Sequence, residues 1–186
     1  MKRRAILLIG GATLIAGCST TTGGSSDTAA KRREVDASVD NALGQLYAAS
    51  PDARALVDRA QGVLVFPSVV TAGFVVGGSY GQGALRKRGT TAGYYSVGAG
   101  SVGLLAGAQS KAMYLLFMTE AALQKFESSA GWTAGVDASV ALAKVGADAR
   151  ISTETAQAPV VGFVRTNAGF MANLSFDGTK FNRIDL

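Results

Sequence analysis

Beyond the basic start of the chain (Lys2, Arg3, Arg4), Lys31-Arg32-Arg33 and Arg86-Lys87-Arg88 are the two places where this sequence concentrates reactive side chains, each a run of three cations. Beside an anionic bilayer each such side chain contributes about 1 kcal/mol, lost beyond a Debye length. Several together orient a domain already held at a membrane, though they are weak alone. The remaining candidates form no comparable constellation. The chain has no histidine, which excludes histidine-based triads and the common kinds of zinc and haem site. Ser96, Ser101 and Ser110 therefore lack a histidine partner; Lys111 or Lys144 is chemically able to activate a serine, but no spacing recommends it. Asp137 and Asp148 are the one pair suggestive of facing carboxylates, for acid–base work or a divalent ion; solvation of a hairpin face is the favoured account. Gly98-Ala99-Gly100-Ser101-Val102-Gly103 fits the letter of a dinucleotide fingerprint, and Glu120 follows Gly100 by 20 residues. Such a site needs a helix to open there over a parallel βαβ series. Gly107 interrupts the following run and no such series follows, so glycines in a curved strand explain it better. No enzyme, metal site or cofactor is read from these residues.

Cys18 carries the other chemistry. It is the only cysteine, and Leu14-Ile15-Ala16-Gly17-Cys18 follows a basic start (Lys2, Arg3, Arg4) and an apolar run, residues 5–16. That run is too short for a comfortable membrane helix and reads as an export signal. Its end resembles the lipobox of bacterial lipoproteins, which implies a thioether-linked diacylglycerol on Cys18 and an amide-linked third acyl chain such as palmitate. One acyl chain holds a protein marginally, whereas two or more hold it stably. Ser19, in place of aspartate, points in a Gram-negative cell to the outer membrane. Residues 1–17 are then a lipoprotein signal peptide, 18–30 a lipidated flexible tether rich in Ser, Thr and Gly, and 31–186 the domain. Removing the signal leaves 15 basic against 13 acidic residues, a net charge of +2 rather than +5. A nucleic-acid role needs a concentrated basic face, so nucleic acid is not an expected partner.

Helices occupy 31–61 and a β-rich part 62–186. Val35, Val39, Ala42, Leu43, Leu46 and Tyr47 recur at helical spacing with charged residues between them, predicting an amphipathic helix to about residue 48. Ser50-Pro51 supplies an N-cap and first-turn proline for a second helix, which Gly62 ends. From there, residues 62–83 read as buried strand with glycine on one face (Gly73, Gly77, Gly81, Gly83), a strand that bends hard or lies against something very close. Pro67 must sit at a strand edge or in a bend. Residues 85–89 read as a basic loop tip. Further strands are expected at 94–100, 101–109, 113–118, 160–165, 170–176 and 180–184, a short helix after Thr119, and a hairpin pairing 135–140 with the similar 146–151. About nine strands, mostly sequence neighbours, make the fold α+β and β-dominated: a strongly curved antiparallel sheet or barrel with N-terminal amphipathic helices and one short internal helix.

Gly62-Val63-Leu64-Val65-Phe66-Pro67, Ala72-Gly73-Phe74, Tyr94-Tyr95-Ser96, Gly107-Ala108-Gln109 and Leu116-Phe117-Met118-Thr119, with Ala122-Leu123, Val145-Gly146-Ala147-Asp148 and Gly169-Phe170, resemble the successive blocks of the SYLF domain, in order over residues 39–184. The resemblance implies phospholipid binding through basic residues and an N-terminal amphipathic helix, and, for some fungal members, actin. An envelope lipoprotein would meet no actin in its own cell. The expected function is a membrane-anchored, noncatalytic module contacting anionic phospholipid headgroups through Lys31, Arg32, Arg33, Arg86, Lys87 and Arg88. The competing reading is a structural or protein-interaction lipoprotein of the envelope, binding another protein through exposed apolar surface around Trp132.

Cys18→Ala is expected to abolish incorporation of radiolabelled palmitate into the chain in growing bacteria; incorporation equal to wild type refutes lipidation at this residue.

Overall fold

The computed structural model describes residues 24–73, 76–102, 107–143, 151–166, 169–171 and 175–186. Helix α1 (Gly24–Ala49) buries Val35, Val39, Ala42 and Leu46, the stripe expected from their spacing. It begins seven residues before Lys31, inside the stretch read as tether. Asp27 complements the positive end of that first turn, and Ala29-Ala30 are strong helix formers. Extending a docked helix adds one hydrogen bond per residue, which makes continuation cheaper than starting anew. Residues 18–23 lie outside the described residues.

Ser50 caps α2 (Pro51–Arg59) as expected, its Oγ accepting from Ala53 N at 3.2 Å. Gly62 is not its terminator. The helix stops at Ala60 in an extended conformation, so no left-handed residue is needed, and Gly62 instead opens the first strand against Leu123. Thr119 likewise caps α3 (Glu120–Ser128) through Ala122 N.

Four long antiparallel strands follow the first two helices: β1 (Gly62–Gly73), β2 (Val76–Lys87), β3 (Thr90–Val102) and β4 (Gly107–Phe117). Shorter elements complete the fold: β5 (Trp132–Thr133), β6 (Ala141–Leu142), α4 (Thr153–Ala156), β7 (Val160–Thr166), β8 (Gly169–Phe170) and β9 (Lys180–Ile184). The nine strands form one curled, half-barrel sheet in the order β5-β9-β3-β2-β1-β4-β7-β6, with β8 on β7. The α+β, β-dominated class stands.

Several boundaries differ from expectation. Residues 62–83 are two strands of a hairpin, with Gly73 paired to Gly77. Residues 94–118 hold two strands rather than three, and the break falls after Val102, not at Gly100. Of the expected 135–140/146–151 hairpin, the described side is a turn, Gly135 N donating to Ala138 O at 2.9 Å, and β6 pairs with β7 in parallel. Similarity between neighbouring segments does not fix pairing; the buried Val160–Phe163 run was the better partner. Residues 144–150 lie outside the described residues, as do 172–174 of the strand expected at 170–176, and α4 is a second internal helix.

β1 is buried on both faces. Leu64, Phe66 and Val69 enter one core with Leu85, Tyr95, Leu115, Phe117, α3, Trp132 and Phe181. Val63 and Val65 enter a second core with Tyr114, Leu116 and Phe163, under α1 and α2. Each aliphatic or phenyl side chain buried there contributes about 1.5–3 kcal/mol. Tyr114 fastens α1 to the sheet: its OH donates to Ala42 O at 2.9 Å, and burial pushes the phenol up to about 12.

Pro67 sits in a bulge. β1 registers Val65 with Ala84 and Ser68 with Gln82, so Phe66 and Pro67 together oppose Gly83. A bulge tolerates the missing proline N–H and bends the strand. The bend drives Val65 O so close to Gly83 that a Cβ there would lie 1.9 Å away, and at Gly81 a Cβ would lie 2.7 Å from Ser68 O. The expected close approach occurs at these two glycines and at Gly73, where a Cβ would lie 2.3 Å from Gly77 Cα. Gly83→Ala is therefore expected to destabilise the fold by about 3 kcal/mol. Gly100→Ala, where nothing lies within 4 Å, should change it by no more than about 0.5–1 kcal/mol, towards greater stability. Urea unfolding of both variants checks this; equal midpoints refute the close approach.

Candidate functional site

α1 crosses the sheet and brings its own charges against the β2–β3 hairpin. Arg86 points to the α1 face, its side chain only 12% exposed. Its Nη2 lies 2.6 Å from Asp40 Oδ1 and 3.5 Å from Asp36 Oδ1, and donates to Asp36 O at 3.2 Å. Its Nη1 donates to Thr91 Oγ1 at 2.6 Å. Asp36 in turn accepts from Thr91 Oγ1 at 2.7 Å and from Tyr94 OH at 2.9 Å. Partial burial, then the hydrogen bond and charge of Asp36, raise the Tyr94 phenol above its ordinary pKa. Aspartates four apart share a helix face, so one cation on the facing strand meets both. The cluster staples helix to hairpin.

The structure therefore places the six predicted cations in different roles. Arg86 is held inside the staple. Lys87 reaches α3, with Nζ 3.0 and 3.3 Å from the Glu127 oxygens. Arg88 is exposed at the β2–β3 turn, in the left-handed region at φ 50°. Arg32 lies 6.0 Å from the Tyr94 ring centroid and donates to Leu186 O, so the two triplets approach each other around Tyr94. Lys31 pairs with Glu34 at 3.2 Å on exposed surface, where such a pair is worth little. Arg33 is exposed, without a partner among the described residues.

Lys111 is a cation whose placement sequence reasoning missed. It registers opposite Val69, whose side chain lies in the α3-side core, and lines a cavity of about 120 Å³ with Ser79, Asp177 and Thr179. Burial lowers its amine pKa. Among the described residues it has no carboxylate within 4 Å. Alternation along β4 was the available signal, since it places Lys111 on the same side as Met113 and Leu115.

The catalytic candidates do not converge. Asp137 Oδ2 accepts from Thr133 N at 2.6 Å, which closes its own turn; Asp148 and Lys144 lie outside the described residues. Ser110 Oγ meets Ser68 Oγ at 2.9 Å, and it lies next to Lys111 on β4, so its side chain takes the opposite face. Gly98 to Val102 continue β3, which pairs antiparallel with β2, so the strand before Gly103 belongs to no βαβ unit. Trp132 is not surface: it is 2% exposed and packs among Phe117, Phe126 and Phe181. Among the described residues no group of three metal-ligating side chains occurs, and no helix is long and apolar enough to cross a membrane.

Arg86→Met is expected to destabilise the protein by about 2 kcal/mol, and the cycle with Asp36→Asn to show about 1 kcal/mol of coupling. Denaturant unfolding of the single and double variants measures both; a cost below about 0.5 kcal/mol marks Arg86 as an ordinary surface cation instead.

Residues 98–184 match the family model Ysc84, described as "Las17-binding protein actin regulator". Among curated proteins, none matches.

Proposed function

We infer, from the match over residues 98–184 and the ordered SYLF-like blocks of the sequence, that the chain carries a domain of the Ysc84 (SYLF) family, a family linked to lipid and actin binding. From that premise we propose that it is a noncatalytic phospholipid-binding module of a bacterial envelope, held at its membrane, an outer membrane, by lipid on Cys18. Basic side chains at the start of α1 contact anionic headgroups. The observation that carries this reading is the short path from Cys18 to those cations. Residues 18–23 reach at most about 20 Å. Helix α1 then begins at Gly24, and Lys31 lies about 10 Å along it. Lys31, Arg32 and Arg33, all exposed, are thereby confined to within about 30 Å of the acylated sulfur. Arg86 and Lys87 are engaged by carboxylates of the domain itself, so the headgroup role falls on the α1 triplet.

The fragment 19–186, which keeps every residue of both cores, is expected to co-sediment with phosphatidylglycerol-containing vesicles in proportion to anionic content, and to be released by salt. Replacing Lys31, Arg32 and Arg33 together by Gln should remove about 3 kcal/mol, roughly a hundredfold in vesicle affinity. Binding indifferent to both anionic content and salt overturns the reading.

A further inference from the structure

Among the described residues, Val70, Val76, Tyr80 and Val136 are the exposed large apolar side chains, and three of the four lie at one end of the sheet. Val70 registers opposite Tyr80, and Val76 sits on the same side of β2 as Tyr80. The ends of the β1–β2 and β3–β4 hairpins are neighbours there: Gly73 pairs with Gly77 and Gly107, and Val76 with Val102. Residues 69–85 and 89–110 contain no Asp, Glu, Lys or Arg, and the charges between them are all in Arg86-Lys87-Arg88. The register puts that turn ten residues up β1 from Gly73, since Val63 faces Arg86, a distance of about 33 Å. Apart from Lys111 on β4, charge is thus segregated to one end of the hairpin pair and exposed apolar surface to the other.

We propose that this uncharged end is the surface that meets the bilayer, with Val70, Val76 and Tyr80 entering its interfacial zone and Arg88 facing away. The proposal rests on the lipid-binding reading above and names the face that carries it. A clustered apolar surface marks an interaction site, and three observations select a bilayer as its occupant. Lys31 lines a groove with Val70, Tyr80 and Gln82, so one exposed cation of the α1 triplet stands beside the exposed apolar side chains. Lys111, lacking a carboxylate partner among the described residues, registers opposite Val69, four residues above Gly73, or about 13 Å. From that height its long side chain reaches down towards the headgroup layer when only the hairpin ends enter. Tyr80, 57% exposed and joined through its OH to Gln82 Nε2 at 3.1 Å, has the amphipathic ring enriched at membrane interfaces.

Entry is shallow for a physical reason. β9 covers β3 only from Tyr94 to Gly98, and β7 covers β4 only from Ala112 to Phe117. Nearer the hairpin ends these two strands have no further partner strand among the described residues, and open edges are tolerated by the hydrated interface but not by hydrocarbon.

The test uses the full chain, acylated on Cys18 and reconstituted into phosphatidylethanolamine–phosphatidylglycerol vesicles. Its only native sulfhydryl is then blocked, so Val76→Cys and Arg88→Cys each accept one environment-sensitive fluorophore. The probe at position 76 is expected to shift to the blue and to be quenched by lipids brominated near the headgroup, while the probe at 88 stays in water. Equal, water-like emission at both positions overturns the proposal. A blue shift at 76 in detergent-free fragment 19–186 without vesicles, growing with protein concentration, assigns the end to self-association and also overturns it. In that fragment Val76→Asp with Tyr80→Asp should weaken vesicle binding about tenfold at unchanged melting temperature. Unaltered affinity, with the Lys31–Arg33 dependence intact, overturns insertion and leaves the lipid-binding reading standing. A fragment that binds no vesicle at all overturns both.

Discussion

Leu64 and Phe66 leave one side of β1, Val63 and Val65 leave the other, and all four are completely or almost completely buried. A strand in that position has no face for water, so each side must be covered by other elements. α1 and α2 cover one side; α3, β5 and β9 close over the other. The bulge at Pro67 follows from the same constraint, because a central strand cannot hold a proline in regular register. Gly83 and Gly81 then follow from the bulge, because the bent backbone of β1 occupies the space where their side chains would be.

That arrangement sets the extent of the folded unit. The family match begins at Gly98, within β3, and includes β4. In the sheet those two strands are not adjacent: β2 and β1 lie between them. The matched segment therefore builds its sheet only with the hairpin that precedes it. Tyr114, inside the match, is buried through a hydrogen bond to α1, and Arg86 joins the hairpin to the same helix. Hairpin and matched region thus share both cores, and the helix shares one of them.

Both cores lie towards one end of the long strands. Beyond Val69 on β1 the two cores end, with only α1 still bordering Val70 and Tyr80 across a groove, and the sheet continues as four strands rich in Gly, Ser and Ala with valine and tyrosine exposed. Nothing in core packing requires that extension. It is the part of the molecule whose composition answers to its surroundings rather than to its interior.

Local chemistry alone determined much of this. Ser50 and Thr119 cap helices because a side-chain oxygen reaches an amide two or three residues on, whatever the rest of the chain does. The α1 stripe, the buried strand runs, the curvature announced by glycine and the absence of histidine chemistry were equally legible, since each depends on spacing within a segment. The tertiary structure decided what depends on partners distant in sequence. Arg86 reads as one of three loop cations until β2 sets it against Asp36 and Asp40, about fifty residues earlier. Trp132 reads as a surface aromatic until Phe117 and Phe181 close around it. Lys111 becomes a half-buried cation without a carboxylate among the described residues only once β1 and β4 are in register. Burial and charge pairing are properties of strand register and helix docking, and a one-residue slip in either would reverse them.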